Sequence, residues 1–163
     1  MVPVKAINRA AQLGIATGLR SMTPLAVLSW TASLEPASTP SGLPLHFLGN
    51  RVVARLMLLM ATGELVADKL PITPKRTMPA SLMGRVGLGA LCGAVVCSQE
   101  KQPAAMGAGI GALAAGWSTY AATAGRAALT EAGLPDFAVA LAEDLLTAAL
   151  SLAAVTRGPG TVA

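Results

Sequence analysis

The stretch QPAAMGAGIGALAAGWSTYAATAG, residues 102–125, holds no charged side chain, and its reading decides the fold. A helix rising about 1.5 Å per residue needs roughly 20 apolar residues to cross a hydrocarbon core about 30 Å thick. The stretch meets that length, so the sequence predicts a membrane-spanning helix over residues 103–124. Outward from it, four further apolar segments follow the same pattern with isolated charges inside them. Residues 10–34 are interrupted by Arg20, and residues 79–98 by Arg85. Residues 52–70 contain Arg55 near their start and Glu64, Asp68 and Lys69 towards their end, and residues 137–156 contain Glu143 and Asp144. Prolines and glycines punctuate the gaps: Pro36, Pro40 and Pro44, then Pro71, Pro74 and Pro79, then Pro103, then Gly133 with Pro135. No alternating strand pattern appears. The expectation is an all-α integral membrane bundle of about five transmembrane helices, one domain over residues 1–163, with the first helix broken near Pro24.

Composition points the same way. Of 163 residues, 12% are charged and 53% apolar, and the mean hydropathy is +0.61. Soluble domains carry roughly a quarter charged residues. The short gaps leave no room for a separate catalytic or nucleotide-binding lobe. A net charge of +4 invites a nucleic-acid reading, but the 12 Lys and Arg are scattered with no run longer than Lys75–Arg76, and with only two Phe, two Trp and one Tyr among them. The expected partner is the lipid bilayer, and no nucleic acid. Lys5 and Arg9 precede an apolar run as in a signal peptide, yet the run continues past Arg20 to Leu34, which favours a retained first span. With five spans the ends of the chain fall on opposite faces. Lys5, Arg9, Lys69, Lys75, Arg76 and Arg126 then lie on one side, and Arg51, Arg55, Lys101 and Arg157 on the other. That bias favours a cytoplasmic N-terminus in the cell inner membrane.

Three GxxxG pairs lie on single helix faces: Gly14 with Gly18, Gly89 with Gly93, and Gly107 with Gly111. Such pairs let helix backbones approach closely within a bundle or a homo-oligomer, although Ala- and Gly-rich spans also produce them by chance. A Gly-flanked arginine occurs twice, at Gly18 to Arg20 and at Gly125 to Arg126, each followed by a helix with two acids. This order is that of an inverted hairpin repeat.

The charges inside the spans carry the chemistry. Arg20, Lys69, Arg85 and Arg126 stand against Glu64, Asp68, Glu143 and Asp144. Each costs roughly 2.5 to 3.5 kcal/mol at the centre of an isolated helix, so pairing or a wet cavity is required. Glu64 and Asp68 share one helix face, and Glu143, Thr147 and Ser151 form a polar stripe on another. Two readings stand: the ions staple short helices together, or they line a site for conduction or binding.

The element Gly18-Leu19-Arg20-Ser21-Met22-Thr23-Pro24 is expected to interrupt the first helix. Thr23 and Pro24 suit the N-cap and first position of a new helical piece. Its positive end, beside Arg20 and the hydroxyls of Ser21 and Thr23, suits an anion such as a phosphate or carboxylate. The other reading is a proline kink, with freed carbonyls satisfied by Ser21 and Thr23 and Arg20 bridging to an acid on the second helix. The sequence predicts no metal site and no cofactor. His46 has no sequence partner, Cys92 and Cys97 fit neither a redox pair nor a zinc motif, and four cations compete for the acidic oxygens.

These polar elements resemble a family of small multi-pass bacterial membrane proteins, that of domain of unknown function 4126, over most of the chain. The resemblance rests on Gly18 to Arg20 with Ser21, Thr23 and Pro24, and on Glu64, Leu65, Val66, Ala67, Asp68, Lys69, Leu70 and Pro71. It extends to Arg76, Thr77 and Pro79 leading to Arg85, and to Gly125, Arg126, Pro135, Asp136, Glu143 and Asp144. It implies a multi-pass membrane protein and carries no established substrate. The leading expectation is a transporter or channel for a small polar solute or ion. In it Glu64 and Glu143 bind a cation or proton, and Arg20 and the piece starting at Pro24 hold an anionic group. Asp68, Asp144, Lys69 and Arg126 tune and gate the rims, with Arg85 as a supporting charge. The alternatives are a structural or partner-binding protein and a lipid-phosphate enzyme, the latter lacking a histidine base and a phosphatase signature.

Overall fold

The computed structural model describes residues 3–34, 44–67 and 77–156, so Asp68, Lys69 and most of the expected connections lie outside the described residues. Within them the chain is all-α. Its helices are α1 (Val4–Leu19), α2 (Thr23–Leu34), α3 (Arg51–Ala67), α4 (Pro79–Gln99), α5 (Ala104–Glu131) and α6 (Asp136–Thr156), with a short 3-10 helix at Pro44–Gly49 before α3. The segment expected as one broken span is therefore two helices joined at Arg20–Met22.

The helix ends follow from local chemistry. Asn50 caps α3 by accepting the Val52 N–H at 2.8 Å, and Pro79 starts α4 where its missing N–H costs nothing. The α5–α6 turn is a Schellman motif: Gly133 N–H reaches Thr130 O, Leu134 N–H reaches Leu129 O, and Gly133 takes φ +93°. The α4–α5 turn repeats it, with Lys101 N–H on Ser98 O and Gln102 N–H on Cys97 O. Here Lys101 occupies the left-handed position, at φ 56°.

Packing centres on α1, α4 and α5, and all six GxxxG glycines lie where these helices touch. A Cβ on Gly14 would sit 2.6 Å from Gly111 O, and one on Gly89 also 2.6 Å from Gly111 O. A Cβ on Gly93 would overlap the carbonyl of Gly107, one on Gly107 that of Gly93, and one on Gly18 the Ser118 hydroxyl. The order of contacts fixes direction. Gly14 meets Gly111 and Gly18 meets Ala115, so α1 and α5 run parallel. Gly89 meets Gly111 and Gly93 meets Gly107, so α4 is antiparallel to α5. An inverted repeat would have set α1 against α5 in opposite senses.

Helix α6 lies antiparallel to α1, since Arg9 bonds Ala154 O at 2.7 Å and Arg20 meets Asp144 at 2.5 Å. Leu25 and Leu28 of α2 share one buried cluster with Ala10, Leu13, Cys92 and Ala154, and Leu48 of the 3-10 helix joins them. Helix α3 packs on α2 and buries only Ala54 and Ala61.

Two expectations need correction. Because the joint at Arg20–Met22 adds a helix, the early part of α1 and the end of α6 lie at the same end of the bundle, whereas five spans put them at opposite ends. Among the described residues, two helices, α4 and α6, are long and apolar enough to cross a membrane. Helices α1, α2 and α3 are too short, and α5, though charge-free up to Arg126, has its hydropathy diluted by glycines and by Ser118, Thr119 and Tyr120.

The glycine contact predicts a sharp contrast. Gly93→Ala forces a methyl into the Gly107 backbone and should cost about 1 to 3 kcal/mol, read as a lowered melting temperature of the purified protein in detergent. Gly109→Ala, with nothing within 4 Å of the new methyl, should leave the melting temperature unchanged.

Candidate functional site

The joint between α1 and α2 gathers the buried charges. Helix α1 stops because Arg20 turns extended, at φ −138° and ψ 120°, while its N–H still reaches Ala16 O at 2.9 Å. That leaves the last carbonyls of α1 to find donors from elsewhere. Arg85 of α4 supplies them: its Nη1 donates to Gly18 O at 2.9 Å and to Leu19 O at 3.2 Å. The Thr119 hydroxyl adds a longer bond to Gly18 O at 3.4 Å. A guanidinium at a helix C-terminus also opposes the negative end of the helix dipole.

The start of α2 receives the opposite charge. Ser21 N–H donates to Glu64 Oε1 and Met22 N–H to Glu64 Oε2, both at 2.8 Å, so one carboxylate from α3 bridges two consecutive amides. The first bond of α2 runs from Ala26 N–H to Met22 O, which makes Met22 the N-cap and Thr23 the first helical residue. The expected Thr23 cap is displaced by one position, because the carboxylate satisfies two amides where a hydroxyl satisfies one. The Thr23 Oγ1 atom is shut away from solvent without a hydrogen-bond partner.

Between these caps Arg20, 1% exposed, pairs with Asp144 of α6 through Nε at 2.5 Å. Arg85 lies 3.7 Å from Glu64. The joint thus brings together Arg20 and Ser21 of the turn itself with Glu64 of α3, Arg85 of α4 and Asp144 of α6. Arg20 thus reaches an acid of α6.

Glu143, next to Asp144 on α6, faces another cation: Arg126 Nη1 at 3.5 Å. Arg126 also donates twice to Asp136, at 2.7 Å each. Below Glu143, the Thr147 and Ser151 hydroxyls donate to carbonyls one turn back, at 2.8 and 2.7 Å. The expected polar stripe is therefore buried and satisfied by its own helix.

A second charged cluster escaped the sequence reading. Arg9, counted there as a loop cation, is 3% exposed inside the bundle. Its three nitrogens donate to Ala154 O at 2.7 Å, Glu100 Oε1 at 2.8 Å and Gln99 Oε1 at 3.0 Å, and Lys5 adds an ion pair to Glu100 at 3.4 Å. This cation closes the C-terminal ends of both α4 and α6. A signal existed: Arg9 and Arg20 stand eleven positions apart, three helical turns, so a helix running between them would present both on one face.

Among the described residues no three His, Cys, Asp or Glu side chains converge as a metal ion would require. The fold and site define an all-helical bundle whose interior charges answer one another and the helix ends. The chain belongs to the family of domain of unknown function 4126, whose family model matches residues 8–157. No curated protein and no solved structure matches it.

The two kinds of ion pair should differ in cost. Arg85→Met removes the buried cation beside Glu64 and a donor shared by the Gly18 and Leu19 carbonyls, an expected loss of about 3 to 5 kcal/mol in detergent melting experiments. Asp136→Asn weakens only the pair at the exposed rim, where the carboxylate is 60% exposed, and should cost about 1 kcal/mol or less.

Proposed function

We propose that this is a multi-pass integral membrane protein that binds and passes a small polar solute or ion at the α1–α2 joint. The membrane assignment is supported by reversed polarity. Arg9, Arg20, Arg85 and Glu143 are buried, while Leu59, Leu113 and Trp117 are 68%, 78% and 69% exposed. In water both halves of that pattern are costly; in lipid both are expected. On this reading all six helices sit in the inner membrane, the shorter ones sheltered by their neighbours, and both ends of the bundle's chain face the cytoplasm.

The carrying observation is the joint itself: the negative end of α1 and the positive end of α2 open on the same four charged side chains, Arg20, Glu64, Arg85 and Asp144. Interrupted helices in membrane transporters present such ends to charged solutes. Arg20 and the start of α2 attract an anionic group, Glu64 and Asp144 a cationic one, and a passing solute exchanges partners with them.

A second reading is favoured by one observation, that the described contacts already pair Arg9, Arg20, Arg85 and Arg126 within the chain. On that reading the ions hold helices together and nothing passes.

Flux measurements separate the two. Purified protein in liposomes should carry a small ion or solute above the empty-liposome rate, and Glu64→Gln or Asp144→Asn should cut that flux by about tenfold or more. Flux never exceeding the empty-liposome rate, with both variants only lowering the melting temperature, would establish the stapling role instead. Topology gives an independent check: reporters fused to the two ends of the chain should report the same side of the membrane, and opposite sides would overturn the six-helix arrangement.

A further inference from the structure

We propose that the α1–α2 joint is an oxyanion seat, occupied in the resting protein by the Glu64 carboxylate, which a ligand bearing a carboxylate or phosphate group displaces. The proposal rests on the passage reading above and names its substrate class. Three observations carry it.

The first is the mode of capture. Both Glu64 oxygens are held, each by a separate backbone N–H at 2.8 Å, from consecutive residues at the positive end of a 12-residue helix. This is how a backbone holds a free oxyanion. The donors belong to the turn and do not depend on Glu64 for their position, because Arg20 N–H on Ala16 O and Ala26 N–H on Met22 O fix the turn on both sides.

The second is unspent capacity beside the seat. The Thr23 hydroxyl follows the two amides directly, and its oxygen is buried with no partner. Arg85, 4% exposed, lies 3.7 Å from Glu64 and is anchored by its bonds to Gly18 and Leu19. Its charge therefore stays in place when the carboxylate leaves, and an incoming oxyanion restores the pairing.

The third is the element that brings the carboxylate. Glu64 sits near the end of α3, the helix with the fewest buried residues, which packs on α2 and the 3-10 helix and not on the glycine contacts of α1, α4 and α5. Withdrawing Glu64 leaves the close-packed core untouched, so the seat can be vacated by a local movement.

The ligand can reach such a seat as a free anion or as a lipid headgroup, and the test has an arm for each. Full-length protein in an uncharged detergent and phosphate-free buffer is titrated with inorganic phosphate and with acetate, against chloride at matched ionic strength, following thermal stability and tryptophan fluorescence. In the second arm, nanodiscs of phosphatidylcholine are compared with nanodiscs containing phosphatidic acid. The expected result is saturable stabilisation by an oxyanion or by the phosphatidic acid, and none by chloride. Because the tethered carboxylate competes, Glu64→Gln should bind about tenfold tighter than the native chain. Thr23→Val should weaken binding several-fold without lowering the melting temperature of the ligand-free protein, since its hydroxyl has no partner to lose. Absence of saturable binding by the native chain in both arms overturns the proposal even where Glu64→Gln fails to fold, and so does binding to Glu64→Gln no tighter than to the native chain. Cation flux without oxyanion binding removes this inference and leaves passage standing; oxyanion binding without flux does the reverse.

Discussion

At Gly111 the backbone of α5 lies directly against Gly14 of α1 and Gly89 of α4, with no side chain between them. On the membrane reading proposed above, this closeness is what holds the helices together, since hydrocarbon tails are as apolar as leucine and burial of apolar surface gains little. It also sets the reach of everything else. Arg85 touches the last carbonyls of α1 because α1 and α4 share the α5 backbone as a common spacer, and the same registration brings Arg9 to the end of α4. A bundle with leucines at those positions would hold its helices farther apart, beyond the span of both side chains.

The interior charges then fall into a simple scheme. Arginines sit where helices end, at the C-termini of α1, α4 and α6, and a glutamate sits where α2 begins. Each side chain answers both a formal charge and a run of backbone groups that would otherwise be left bare. This double service is why the ions are worth their desolvation. It also explains why the joint is electrostatically balanced while remaining rich in donors and acceptors, a combination that a purely apolar turn could not provide.

Much of the fold was legible. The helical class follows from uninterrupted apolar stretches, and the three glycine pairs follow from spacing alone. The polar residues of the joint were visible as charges where lipid tolerates few. What was hidden depended on geometry between segments. Residues 10–34 read as one broken span because Arg20 alone is charged there, yet three non-helical residues are enough to separate two helices. The pairing of Arg20 with Asp144 depends on α6 lying beside α1, which no local pattern encodes. Thr23 looked like a cap because its own neighbourhood offered nothing better, and the better acceptor came from forty-odd positions away. Arg9 was misjudged because proximity to a chain end was taken for exposure. The expectations for Asp68 and Lys69 fall outside the described residues.

The bond from Arg9 to the Ala154 carbonyl has a topological corollary. The start of α1 and the end of α6 are neighbours, so the described bundle is nearly a ring. A short linker could suture them, and the strand could then be opened at the Lys101 or Gly133 corner instead, giving a permuted molecule that keeps every helix partner it had.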